Sequence, residues 1–390
     1  MLNKKQLNHN LMLKAHFFYV LTLSLSLTGF SLSQGKETKT PRPPFSWERV
    51  PVYQMFGDGQ RLLKGEEVEQ IGATSRFLCI EKNHGVKPLG ASERGAAHEF
   101  KRFKKRSPNT TCLFYFNSAY AYPFTSGTKK FSFGKVTDEY LPFLLKEPDQ
   151  QTLRNRGRVY LFDVLNPDFR EWWASQAGEY VKETGADGLF VDQMHGFKFY
   201  RLRPEQLKVD GAQAEMMRMA KKSIGPDKIL LLNNGAHIPA LFEIGDAFMF
   251  EHYGLKLLTK EAILKDWLLM EKISDAGKTS VWRIGVEVGH EEEDKTLRVK
   301  KYPELALKHM EYYLATFLIG AQEYSYFQYG WGWRLDTGPL LHHPEFERPL
   351  GAPLGPRVRL SPDGWIFTRQ FEHASVRVDL SKKTGGINWK

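Results

Sequence analysis

The stretch "GADGLFVDQMHG", residues 185–196, decides the fold. It climbs from a glycine through a Leu-Phe-Val run to a lone carboxylate, Asp192, and turns at Gly196. A strand buried on both faces reads as a short continuous apolar run, because parallel sheets are covered on both sides. Seven other runs have this form: "VPVYQMF" (50–56), "RFLCIE" (76–81), "CLFYFN" (112–117), "KILLLNN" (228–234), "AFMFEH" (247–252), "SVWRIGV" (280–286) and "QEYSYF" (322–327). Eight such runs with helix-like segments between them predict a (β/α)8 TIM barrel in the α/β class.

The helical signals are local and specific. "NPDFREWWASQAGEYVKETG" (166–185) opens with Asn166 as N-cap and Pro167 at the first position, and closes at Gly185. Segments 259–277 and 302–320 read as amphipathic helices of similar size. "RVYLFDVLNP" (158–167) is a ninth strand-like run. It is assigned to a long excursion between strands 3 and 4, over roughly 118–185. The segment 364–380 reads as a β-hairpin packed on the outside of the barrel.

The N-terminus reads as an export signal. Lys4, Lys5 and Lys14 precede the apolar run 17–30, and Ser31-Leu32-Ser33 offers small residues for cleavage. The expected organisation is a signal peptide over 1–33 and a polar, proline-bearing leader or linker over 34–44. The (β/α)8 catalytic barrel follows over 45–330, and a C-terminal loop and β-hairpin extension over 331–390. Localisation is expected to be secreted or periplasmic, with no membrane span once the signal is removed.

The formal charge is +10, from 55 basic and 45 acidic residues; without the three lysines of 1–33 it is +7. No nucleic-acid-binding motif appears, so nucleic acid is not an expected partner. The charge tilts the expected substrate towards an anionic polysaccharide. The run "KRFKKR" (101–106) can equally be the solvated face of a helix. Cys79 and Cys112 lie in separate apolar runs and read as buried thiols rather than a disulfide.

In such a barrel the active site forms where the strands end. Glu81, Asp192, Asn233, Asn234 and Glu251 end their runs, and Arg283 lies within the seventh. Asp192 and Glu251 are 59 residues apart, about two βα units at ~30 residues each. They therefore face one mouth. Glycoside cleavage needs such a pair: one carboxyl protonates the leaving oxygen and the other attacks the anomeric carbon. Asp192 is the expected nucleophile and Glu251 the expected general acid/base, with Glu81 and Glu323 as reserve carboxylates. "YSYFQYGWGW" (324–333) adds rings on which sugar faces stack. Asn234, His195, Arg283 and Trp331 are expected substrate contacts, followed by Asn233 and Trp333. Asp187 is read as structural, at the bottom of its strand.

"YLFDVLNPDFREWW" followed by "GADGLFVDQMHG" resembles the paired signature of several glycosidase barrels. These include the α-glucosidase/α-galactosidase superfamily and the endo-polygalactosaminidase-like enzymes. From about residue 45, including "FTRQFEHASVRVDL", the chain is most similar to hypothetical glycosyl hydrolase family 15. The resemblance implies a glycosidase acting on a poly- or oligosaccharide, with the Asp ending strand 4 as nucleophile and a Glu after strand 6 as acid/base. No cofactor or metal is expected. "MHG" after Asp192 departs from the better-known families.

Two other readings stand. Asp192, His195, His237 and His252 could converge on a metal in a metal-dependent hydrolase, although the chain has no HExxH. A non-catalytic carbohydrate-binding barrel would keep the aromatics and need one carboxylate only. Oligomeric state is not legible.

Overall fold

The computed structural model describes residues 40–146, 151–152, 154–155, 159–194, 206–252, 254, 258–286 and 297–390. All lie in one compact unit spanning 39–390. The expected signal segment and His195 fall outside the described residues.

All eight apolar runs are strands of one sheet. They are β1 (Tyr53–Phe56), β2 (Phe77–Ile80), β3 (Thr111–Asn117), β4 (Gly188–Asp192), β5 (Ile229–Asn233), β6 (Ala247–Glu251), β7 (Thr279–Ile284) and β8 (Ser325–Tyr329). Neighbours pair in chain order and every pairing is parallel. A parallel bridge from Val52 to Phe327 and a bond from Phe327 N to Pro51 O (2.8 Å) bring β8 back to β1. The sheet is a (β/α)8 barrel. Gly188 is obligatory for its closure, because a Cβ there would lie 2.1 Å from Ile229 O on the adjacent strand.

The helices follow from their caps and faces. Among those described are α1 (Gly65–Thr74), α2 (Ser92–Arg106), α3 (Pro167–Thr184), α4 (Gln206–Ile224), α5 (Pro239–Ile244), α6 (Lys260–Asp275) and α7 (Tyr302–Gly320). In α3 the Asn166 carboxamide oxygen accepts from Asp168 N (2.9 Å) and Phe169 N (3.3 Å), and Gly185 ends the helix at φ 66°. Its Trp173 is fully buried, stacks on Phe116 at 4.7 Å and donates to Asn117 O (3.0 Å). That tryptophan therefore packs α3 onto β3 and is unavailable to a ligand.

The ninth run lies in the excursion, as its assignment required. Val159–Tyr160 pairs antiparallel with Arg154–Asn155, and Phe162 N bonds Ala119 O (2.9 Å). Beyond the barrel, the expected hairpin is part of a larger antiparallel sheet. It comprises β9 (Val358–Arg359), β10 (Ile366–Gln370), β11 (Ala374–Asp379) and β12 (Thr384–Trp389). The sheet is fastened to α7 by Arg369 Nη1 on Leu318 O (3.1 Å) and by Ile387 N on Glu311 Oε1 (3.2 Å).

Side chains alternate across a strand, so parity sorts the barrel interior. Cys79, Tyr115, Phe190, Leu231, Met249, Val281 and Tyr326 belong to one buried interior cluster. The interior position two residues further along each strand is polar: Glu81, Asn117, Asp192, Asn233, Glu251, Arg283 and Gln328. The floor is closed by the chain ahead of β1. Phe45 packs on Tyr324 and Tyr326 at 5.1 and 5.7 Å, and Tyr326 Oη donates to Pro44 O (2.8 Å). Residues 40–44 of the expected leader thus lie against the barrel.

"KRFKKR" is not a free basic patch. Arg102 pairs with Glu99 (2.7 Å), Lys104 with Asp187 (2.7 Å) and Arg106 with Glu69 (2.6 Å). Asp187 also accepts from Cys112 N (2.8 Å), which ties the base of β4 to α2 and β3. Cys79 and Cys112 are both free and buried.

Candidate active site

The polar layer at the strand ends is a connected network centred on Asp192. Its Oδ2 accepts from Tyr115 Oη (2.6 Å) and Asn117 Nδ2 (3.1 Å). Its Oδ1 accepts from Gln193 N (2.8 Å) and Asn233 Nδ2 (2.9 Å). Four donors from β3, β5 and its own backbone therefore converge on one carboxyl, an arrangement that suits an anion. Burial, then the neighbouring Asp192, Tyr122 and Glu81, push the Tyr115 phenol well above its ordinary value. Tyr115 remains a proton donor throughout the neutral range.

Asn233 joins the two carboxyls. Its Nδ2 donates one hydrogen to Asp192 Oδ1 and the other to Glu251 Oε2 (2.6 Å). The bonds of 2.9 and 2.6 Å share one nitrogen, so these oxygens lie no more than about 5.5 Å apart, within the reach of a retaining carboxyl pair. Asp192 and Glu251 do meet across the mouth.

The backbone at these strand ends is held in uncommon geometry. Gln193 and Asn234, each just past a network residue, have φ of 70° and 55°. Asn tolerates the left-handed region well and Gln less so. Gln193 is restrained by Gln213 Nε2, which donates to its carbonyl (3.1 Å). The Asn234 carboxamide oxygen accepts from Glu251 N (3.0 Å), so this side chain positions the neighbouring carboxylate's backbone.

The other expected residues are distributed unevenly. Glu81 lies in the mouth, where Oε1 pairs with Lys82 Nζ at 2.5 Å. Arg283 is 1% exposed; it donates to His252 O (2.5 Å) and Gly330 O (3.2 Å) and covers the Trp333 ring at 4.6 Å. It therefore ties two strand ends to Trp333. Trp331 is buried beside Tyr302 at 6.4 Å, whereas Trp333 is half-buried. Glu323 stands apart. It is exposed and precedes β8, at the opposite end of the barrel from Asp192, so it cannot serve as a reserve carboxylate. His252 turns to Asp266 of α6, with Nε2 and Oδ2 2.6 Å apart, and Trp282 Nε1 donates to the same oxygen (3.0 Å).

Tyr115, Asn117 and Lys82 were not anticipated. Tyr115 and Asn117 follow Leu113 at two-residue spacing on the interior face of "CLFYFN". That parity was available in the sequence, where Asn117 ends its run just as Asn233 ends its own.

A family model described as hypothetical glycosyl hydrolase family 15 matches residues 104–375, more than half of the chain. The chain belongs to that family. It is accordingly a glycoside hydrolase, and a carbohydrate is the class of its substrate. No curated protein matches the sequence. Among solved structures, the maltogenic alpha-amylase AmyB from Thermotoga neapolitana is 15% identical with a TM-score of 0.50, over 85% of this chain and 86% of that one. The glycoside hydrolase domain of PelA from Pseudomonas aeruginosa is 14% identical with a TM-score of 0.43, over 64% and 89%. Aspergillus fumigatus Ega3, in complex with galactosamine, is 10% identical with a TM-score of 0.38, over 67% and 89%. The family 15 barrel thus shares its fold with AmyB.

Proposed function

We propose that this family 15 enzyme cleaves a poly- or oligosaccharide by double displacement with retention of anomeric configuration. Asp192 attacks the anomeric carbon while Glu251 protonates the departing glycosidic oxygen. The bond from the anomeric carbon to that oxygen breaks as the bond to Asp192 forms. Glu251, now a carboxylate, then takes a proton from water, whose oxygen displaces Asp192 and releases the sugar.

The observation that carries this reading is the single Asn233 amide bridging the two carboxyls. It supports a spacing too short to leave a water between sugar and base, as inversion requires. The four donors on Asp192 fix the orientation of its carboxyl in the mouth. Trp333, half-buried above Arg283, is the proposed stacking surface. Export to the cell exterior or periplasm, read from residues 1–33, belongs to the same proposal. The pairing of three cations of "KRFKKR" with acids weakens the argument for an anionic substrate.

Screening the purified protein for reducing-end release on a panel of neutral, basic and acidic polysaccharides tests the proposal. Asp192→Asn should lose at least about a thousandfold of any activity found, with an unchanged melting temperature. Activity of that variant within tenfold of the parent would refute Asp192 as nucleophile.

A further inference from the structure

Three carboxylates, Glu81, Asp192 and Glu251, share this mouth, and like charges held close disfavour one another's ionisation. The cation paired with the first of these is Lys82, two residues past β2. Its side chain is 27% exposed, its Nζ pairs with Glu81 Oε1 at 2.5 Å, and it lies over the faces of Tyr115 and Tyr122 at 5.4 and 5.3 Å from the ring centroids. Tyr115 in turn donates to Asp192 Oδ2 at 2.6 Å. An ammonium held by one carboxylate and two rings has little freedom to swing to solvent.

We propose that Lys82 is a positioning residue for the glycosidase reaction: its fixed cation, acting partly through Tyr115, keeps Asp192 ionised beside Glu81 and Glu251, and Glu81 sets how strongly it does so. The proposal rests on the reading of Asp192 as nucleophile. Burial opposes charge on Lys82, but Glu81, Tyr122 and Asp192 outweigh it and hold the ammonium above its ordinary value. Lys82 is therefore cationic in the neutral range. The charged and titratable groups facing it and Asp192 are Glu81 just past β2, Tyr115 from β3 and Tyr122 from the excursion, with Glu251 of β6 joined to Asp192 through Asn233.

The ion pair makes a prediction with a sign. Lys82→Met removes the cation and leaves Glu81 uncompensated, so Asp192 protonates more readily. Glu81→Gln leaves the cation uncompensated and does the reverse. A side chain with only a packing role would move neither.

The experiment follows the carboxyl carbon of Asp192 by NMR in full-length protein carrying 13C-labelled aspartate, the resonance being assigned by its loss in Asp192→Asn. The titration midpoint should rise by about one pH unit in Lys82→Met, fall in Glu81→Gln, and return towards that of the parent in Lys82→Arg. Unchanged midpoints, or shifts of the same sign in Lys82→Met and Glu81→Gln, overturn the proposal. If Lys82→Met does not fold, Lys82→Gln removes the same cation with a polar side chain and carries the same expected rise. Azide rescue of Asp192→Gly on whichever polysaccharide of the panel is cleaved tests the underlying reading separately. Failed rescue with the expected midpoints removes the nucleophile assignment but leaves the electrostatic coupling. Successful rescue with unmoved midpoints removes the role of Lys82 alone.

Discussion

The two halves of the barrel mouth are built from the same strand positions and do opposite things. From β2 to β6 the top interior layer holds Glu81, Asn117, Asp192, Asn233 and Glu251, and side-chain-to-side-chain bonds link Asn117, Asp192, Asn233 and Glu251, beside backbone donors to Asp192 and Asn117. From β7 through β8 to β1 the same layer bonds to backbone. Arg283 donates to His252 O and Gly330 O, Gln328 Nε2 donates to Met55 O (3.1 Å), and Gly57 N donates to Trp333 O (2.9 Å). One half is the proposed substrate site, and the other uses its polar groups to tie strand ends together. A polar residue at a strand end is therefore not by itself evidence of catalysis; its partners decide.

That contrast can be broken from either side. In the first half, Glu251→Gln should cost about a hundred- to ten-thousandfold in kcat/KM and little in melting temperature, since it removes a proton donor rather than a packing group. Arg283→Met in the second half should show the reverse. Stability should fall by about 3 kcal/mol in chemical denaturation, because two buried carbonyls lose a charged donor. Any activity per folded molecule should fall less than tenfold. A stable but inactive Arg283→Met would move that residue into the catalytic half.

Asn233→Ala sharpens the comparison at its centre. It frees both carboxyls from their shared donor, so kcat/KM should drop about ten- to a hundredfold, and the pH–activity profile should narrow. A shape unchanged from the parent would mean that the bridge does not couple the two groups.

The smallest effect at neutral pH is at His343, outside the network that joins the carboxyls. His343 is 5% exposed, packed against Tyr329 and Phe346, and neither ring nitrogen has a hydrogen-bond partner among the described residues. Burial, then the neighbouring His342, pushes its pKa down to about 4. Between about pH 6.5 and 4 the unfolded chain binds this proton and the folded chain does not, so stability declines as the pH falls through that window, by up to about 3 kcal/mol. His343→Leu should flatten this part of a melting-temperature profile and change little at pH 7.5. A parallel decline in both proteins would assign the acid sensitivity elsewhere.

The sequence carried the barrel further than it carried the site. All eight strands were legible because buried parallel strands are continuously apolar, 166–185 because caps and periodicity coincide there, and 259–277 and 302–320 by periodicity. β12 was missed because "TGGINW" has neither alternation nor a continuous apolar run. Asp192 and Glu251 stood out as charges ending apolar runs. Tyr115 and Asn117 are neutral, and Lys82 sits one residue beyond Glu81, so their role depends on contacts made 75 to 110 residues along the chain. Arg283 shows the converse: its charge was legible, but its backbone partners were not. Glu323 was placed by its run rather than by the direction of its strand, and direction decides which mouth a residue faces.

The pairing of Asp192 with Glu251 through Asn233 is the centre of this account. Its most direct test is the configuration of the first-formed sugar, followed by proton NMR on whichever polysaccharide the panel shows to be cleaved. The account predicts that the new anomeric centre keeps the configuration of the bond that was broken. An inverted first product would contradict it.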